Sequence, residues 1–206
     1  VEKGPDGEEI GNRRLTITEA RTYDLTVARW ADSQTVRTLT GDVTEHAVEG
    51  LLDGRRVWVY LPPGYHESTR NYPVLYMLDG QNVFDDSTSF VGEWEVDESC
   101  ERLIAAGEME PLVVVALDNG GANRVYEYTP TTDERRGVGG GADAHFEAII
   151  GTLMPWVQAN YRVLAGPSNT GFSGSSLGGL MSLHAALNHA DTFGRIGAVS
   201  PSLWWD

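Results

Sequence analysis

From residue 42 onward, short apolar runs separated by turn residues and by longer mixed segments set the pattern of the chain. Residues 42–49 and 55–61 read as two strands joined through Leu52-Asp53-Gly54, a hairpin signal, and Pro62-Pro63-Gly64 stops the second. Residues 73–78 and 112–117 are continuous apolar runs, the pattern of strands buried on both faces. Residues 95–106 predict a helix ended by Gly107, and residues 119–141 have loop character. Asp143 reads as the N-cap of a helix running to Asn160, which Pro155 should kink. Residues 169–174 predict a short strand, 176–189 a helix and 196–200 a third buried strand. Strands alternating with helices after a leading hairpin predict an α/β fold, a three-layer sandwich with a mostly parallel sheet.

Residues 1–40 differ from this. They are rich in Gly, Glu and Asp at first and then alternate like short strands at 15–18 and 23–27. A lone strand pair is marginal in water, so this piece must pack on something or belong to a larger β unit. The reading divides the chain into a short β-rich segment, 1–40, and an α/β domain, 41–206.

Composition narrows the chemistry. The 206 residues carry 15 Lys and Arg against 30 Asp and Glu, a net charge of −15, which repels a polyanion and speaks against nucleic acid as a partner. With 41% apolar and 22% charged residues the composition is that of a folded domain. The single cysteine, Cys100, excludes an internal disulfide or a cysteine-rich zinc site and reads as a packed thiol. The longest clean apolar run, 112–117, is far too short to span a membrane. Nothing resembles a signal peptide, but the chain opens on Val1 rather than Met, so a missing address means little. Compartment stays open, with a secreted or periplasmic location the leaning.

Gly174-Ser175-Ser176-Leu177-Gly178 matches G-x-S-x-G between a predicted strand and a predicted helix, the setting of a nucleophile elbow. The central Ser176 is the candidate nucleophile. The turn is sharp, so glycine is needed where strand and helix approach. Open α/β sheets bind ligands beyond the C-terminal strand ends, and a helix N-terminus there favours an oxyanion. Leu177 N–H is then one oxyanion donor. The second comes from the loop after the preceding buried strand, Asp79-Gly80-Gln81-Asn82, with Gln81 N–H the choice.

Taken together, Leu78-Asp79-Gly80-Gln81-Asn82-Val83-Phe84-Asp85, Glu127-Tyr128-Thr129-Pro130, Asn160-Tyr161-Arg162, the elbow and Ser200-Pro201-Ser202-Leu203-Trp204-Trp205 resemble the putative-esterase family of α/β-hydrolases. That family includes enterochelin, feruloyl and acetyl-xylan esterases. The likeness covers residues 42–206 and implies a serine esterase with Ser, acid and His in that chain order. It places the acid and histidine after the strand ending near Ser200, so both are expected beyond Asp206. Residues 1–32 faintly resemble the tail of a starch-binding-type β-sandwich.

None of the resident histidines is an evident base. His184 is eight positions along the helix from Ser176, about 12 Å down its axis, and His189 is farther; both read as helix-face residues. His46 and His66 lie on the leading strands and their loop, and His145 reads as an exposed residue at a helix start, the only one kept in view as a base. For the pocket, Asp79, Asn119, Arg124, Glu127 and Tyr128 are expected to face the cleft, with Arg124 and Glu127 equally readable as an i, i+3 ion pair. Trp94 and Trp204 are candidates for stacking on a sugar or phenolic acyl group, Trp58 and Trp156 read as core, and Asp85-Asp86 as a solvated turn. The reading names no metal and no cofactor. Its substrate is a small-molecule or polysaccharide-linked ester. The alternatives are acyl transfer by the same serine, or a non-catalytic glycan-binding protein on a hydrolase scaffold.

Overall fold

A computed structural model of the chain describes residues 37–205 together with the backbone of a two-strand pair, Glu2–Lys3 (β1) antiparallel to Arg29–Trp30 (β2). The strands expected at 15–18 and 23–27, and the β-sandwich likeness of residues 1–32, lie outside the described residues.

The remaining strands are β3 (Asp42–Ala47), β4 (Arg56–Leu61), β5 (Val74–Leu78), β6 (Val113–Leu117), the small pair β7 (Thr132–Asp133) and β8 (Val138–Gly139), β9 (Thr170–Ser175) and β10 (Arg195–Val199). Six of them form one sheet in the order β10-β9-β5-β6-β4-β3. The four strands from β10 to β6 run parallel, and the β3–β4 hairpin joins antiparallel at β6. Helices α1 (Val96–Ala105), α2 (Arg124–Glu127), α3 (Ala142–Ala148), α4 (Met154–Asn160) and α5 (Leu177–Asn188) complete the fold.

Alternation along the strands sorts side chains into two cores, which is why β5 and β6 read as unbroken apolar runs. Val57, Val59, Val113, Val115 and Tyr76 share one cluster with Phe146, Leu153, Val157 and Met181 from α3 to α5. Trp58, Tyr60, Met77, Val114 and Ala116 face the other way, onto Cys100 of α1 and onto Val83 and Phe84. The sheet is thus sandwiched, and burial of some two dozen large side chains supplies the main driving force. Cys100 is packed and free, and Trp58 is core as expected; Trp156 is half-buried against His46.

Helix α1 ends in a doubly bonded cap, with Gly107 N–H donating to the Ile104 carbonyl and Glu108 N–H to that of Leu103. The helix expected over 143–160 is continuous but not uniform. Between α3 and α4 the residues Ile149–Leu153 wind as a π-turn. Pro155 brings no N–H and a bulky ring, and the widened turn just before it absorbs both without a break. Asp143 is not the N-cap: Gly141 holds that position, and the Asp143 carboxylate meets His184 instead. The stretch 119–141 is also more ordered than a loop, because its polar residues close a 3₁₀ turn, α2 and the β7–β8 pair. Among the described residues no helix is long and apolar enough to cross a membrane.

Candidate active site

The elbow forms where β9 passes directly into α5. Ser176 has φ 57° and ψ −117°, a conformation that L-residues rarely adopt and that costs on the order of 1–3 kcal/mol. Three backbone bonds hold it there. Ser176 N–H donates to the Val199 carbonyl at 3.1 Å, and the Ser176 carbonyl accepts from Ser202 N–H at 2.9 Å and Leu180 N–H at 3.0 Å. A Cβ on Gly174 would stand 2.7 Å from the Gly178 backbone, so a side chain there would force strand and helix apart. The result is an exposed Ser176 side chain whose hydroxyl lies 3.1 Å from that of buried Ser202. The N–H of Leu177 precedes the first bond of α5, which is Leu180 N–H to the Ser176 carbonyl.

The opposing loop leaves β5 at Asp79, itself left-handed at φ 56°, and makes a 3₁₀ turn over Gly80–Asn82. The first bond of that turn runs from Asn82 N–H to the Asp79 carbonyl at 2.9 Å, so Gln81 N–H is not consumed by it. A Cβ on Gly80 would lie 2.7 Å from the backbone of Ala116 and Leu117; only glycine lets the turn sit down on β6. The Gln81 side chain is buried and its Oε1 accepts from Asn119 N–H at 3.3 Å.

Asp79 is the hub of a polar network. Arg124 grips it with two bonds, Nε to Oδ1 at 2.6 Å and Nη2 to Oδ2 at 2.7 Å, and Asn119 Nδ2 adds a third at 2.7 Å. Asp79 N–H donates to the Tyr128 hydroxyl at 3.2 Å. Burial works against the Arg124 charge, but the hydrogen bonds and charge of Asp79 outweigh it and raise its pKa. Asp79 and Arg124 do line the cleft; Tyr128 does not, being fully buried behind Asp79 with the Arg124 guanidinium 5.0 Å over its ring.

The i, i+3 pair of Arg124 with Glu127 does not form. Glu127 instead takes a forked pair from Arg55, at 2.7 and 2.9 Å, and lies buried under Gly120. Burial opposes its charge, yet the Arg55 bonds and charge prevail and hold its carboxyl below the usual range. His145 stands 3.7 Å from Glu127 and edge-on to Tyr128. It is buried rather than exposed, neither ring nitrogen has a partner, and burial drives its pKa down to about 4. Of the five histidines none is bonded to Ser176: His46 meets Tyr161, His66 meets Asp42, His184 meets Asp143, and His189 packs on Phe146.

Between the elbow and the Asp79 loop lies a cleft of about 240 Å³, bounded by Ser175, Ser176, Asp79, Arg124 and an apolar rim of Phe90, Val91 and Trp94. The rim is open to solvent, with Phe90 67%, Val91 59% and Trp94 39% exposed. Trp204 is exposed but not part of this cleft, whereas Trp205 is tied by its indole N–H to the Thr131 carbonyl at 3.0 Å. The sequence reading missed Phe90, Val91, Asn82, Ser202 and Arg55. Only Asn82 and Ser202 carried a signal, as members of the two motifs flanking the elbow. Asp85 is not solvated either; it is buried and accepts from the N–H groups of Ser87 and Thr38.

A parallel sheet ending in a strained serine elbow, faced by a tight glycine turn, is the architecture of the α/β-hydrolases. Residues 50–206 match the family model described as "Putative esterase", and the chain belongs to that family. It is 29% identical over 173 residues to the Bacillus subtilis protein YbbA, covering 82% of this chain and 63% of that one. It is 30% identical over 159 residues to the iron(III) enterobactin esterase of Dickeya dadantii, covering 76% of this chain and 32% of that one. The solved CE1 ferulic acid esterase of Anaeromyces mucronatus superposes with a TM-score of 0.55 at 27% identity, over 79% of this chain and 59% of that one. The chain therefore spans less than two thirds of the length of each of these relatives.

Proposed function

We propose that this chain carries the nucleophile and oxyanion hole of a serine carboxylic-ester hydrolase. Ser176 Oγ attacks the ester carbonyl while its proton passes to a base. The N–H groups of Leu177 and Gln81 receive the developing oxyanion, the alcohol leaves, and water then releases the acid from the acyl-enzyme. The observation that carries this reading is the backbone of Ser176, φ 57° and held by three bonds, which lifts a hydroxyl into the mouth of a cleft. Strain of that kind persists where function requires it. We infer that the acid and histidine of the triad lie outside the described residues, because no resident histidine is bonded to Ser176: four are engaged elsewhere, and His145 is buried beside Glu127 and Tyr128.

The rim of Phe90, Val91 and Trp94 suits a flat, aromatic acyl group lying across the cleft. Esterases whose names specify enterobactin and ferulic acid among the relatives agree with that choice.

The test is fluorophosphonate labelling of the protein as its native source makes it, read by intact mass, beside S176A. One adduct on the wild type and none on S176A is the expected result, with ester turnover lowered by on the order of 10⁴-fold or more. Labelling that persists in S176A moves the nucleophile elsewhere. A wild-type protein that neither labels nor turns over esters, yet binds polysaccharide, would return the chain to the non-catalytic reading.

A further inference from the structure

We propose a second site, for a zinc-type divalent metal ion, formed by Asp143, His184 and His189 where the end of α5 meets the start of α3. It lies toward the opposite end of α5 from Ser176, with His184 about 12 Å and His189 about 20 Å along the helix axis. One ligand atom from each of the three side chains falls within 4.8 Å of the other two. His184 Nε2 and Asp143 Oδ1 are already 2.7 Å apart. His189, at the C-cap of α5, leaves the helical conformation at φ −131° and ψ 31°, and its ring comes to 6.2 Å from that of His184. Phe146 packs against both rings, at 5.9 and 4.5 Å, and so fixes the pair.

A separate observation points to a ligand. His189 Nε2 is buried and has no hydrogen-bond partner, an arrangement that ordinarily costs free energy. Two imidazoles and one carboxylate, with water in the fourth place, are the donor set of zinc and its neighbours rather than of Ca²⁺ or Mg²⁺, which prefer oxygen alone. Tetrahedral zinc needs donor atoms about 3.3 Å apart. The triangle has to contract on its long edge and open slightly on its short one, and the Asp143 side chain, 78% exposed, is free to swing.

Binding at His184 Nε2 takes the neutral ring in its other tautomer: the single proton that Nε2 shares with Asp143 moves by way of solvent to Nδ1, with no net release. That nitrogen lies 3.1 Å from the Asn188 amide, which accepts from it after a half-turn and so fixes the ring from behind. A bound ion would staple the helix that carries the nucleophile to α3, acting on stability and not on the chemistry at Ser176.

Titration calorimetry of the full chain with Zn²⁺, and the visible absorption of Co²⁺ in its place, test the proposal. One equivalent with micromolar or tighter affinity is expected, together with a rise in melting temperature on adding zinc. H184Q and H189F should each weaken binding by about tenfold or more. D143N should fold as the wild type does without metal yet lose most of the zinc-induced rise. H189F keeps a ring against Phe146, and if it fails to fold, H184Q and D143N carry the test. The proposal is overturned if no saturable one-equivalent binding occurs. It is equally overturned if binding survives H184Q and D143N but vanishes in H66A, an adventitious ion at the His66–Asp42 pair.

Discussion

Asp79 sits one residue before the glycine turn that carries Gln81, whose N–H we propose as the second oxyanion donor, and its carboxylate takes three bonds from Arg124 and Asn119. A charge so held does two things at once: it neutralises a guanidinium that is itself mostly buried, and it fixes the left-handed start of the turn. The two can be separated by substitution. D79N keeps a residue tolerant of φ 56° and one oxygen to accept from Arg124 Nε and Asn119, losing the charge and the acceptor for Arg124 Nη2, while D79A strips every partner from Arg124 on that side. We expect D79A to lower stability by about 2 kcal/mol, discounted from a fully buried pair because Arg124 is partly open, and D79N by less. Both should reduce ester turnover. Urea midpoints beside turnover of an aryl ester check this; a D79A protein with wild-type activity would show that the turn keeps its shape unaided.

Between elements, the site depends on how closely backbones approach. The Gly80 turn rests on β6 with no room for a Cβ, so G80A should destabilise by about 1–3 kcal/mol and shift the Gln81 N–H proposed as an oxyanion donor. Gly151, in the π-turn, has nothing within 4 Å of where a Cβ would go, so G151A should be neutral or stabilise by up to about 1 kcal/mol. Thermal unfolding of the two variants side by side distinguishes close approach from mere helix position. The same contrast explains what could be read beforehand. Strands β5 and β6, the elbow and the Asp79 turn announce themselves through local sequence, because burial on both faces and a sharp turn each impose residue types on neighbouring positions. The partners of Arg124 and Glu127 do not: Asp79 is 45 positions from the first, and Arg55 is 72 from the second. An i, i+3 spacing suggests a pair, but packing assigned each residue a better-buried one. Asp143 as an N-cap fails for the same reason, its carboxylate being claimed by a histidine 41 positions away. Phe90 and Val91 lie in a polar stretch with no period, so nothing local marks them as a rim.

Across the whole molecule, two buried groups pull the stability in opposite directions over the same span of pH. Asp97 is fully buried with its Oδ1 unpartnered, and burial, together with the Glu98 carboxyl beside it, raises its pKa to about 7. Between its ordinary value near 4 and 7, the folded chain holds a proton that the unfolded chain has released, so this group's contribution falls as pH rises. His145 behaves in the opposite way. With its pKa lowered to about 4 by burial, it stays neutral in the fold while the unfolded chain takes up a proton below about 6.5, so its contribution falls as pH drops. D97N keeps an acceptor for Thr40 N–H, now 2.7 Å from Oδ2, and gains an amide that can donate to Glu98. It should raise the melting temperature at pH 8 by about 2–4 °C, with the gain shrinking toward pH 4. H145L should gain stability relative to the wild type as pH falls from 8 toward 4, since the variant no longer loses stability to an imidazole that must stay uncharged. The differences between variant and wild type, taken at each pH, isolate these two groups from the many surface carboxylates of a chain with net charge −15. A D97N gain that is equal at pH 4 and pH 8 would mean that Asp97 stays ionised in the fold, and that Thr40 N–H alone compensates its burial.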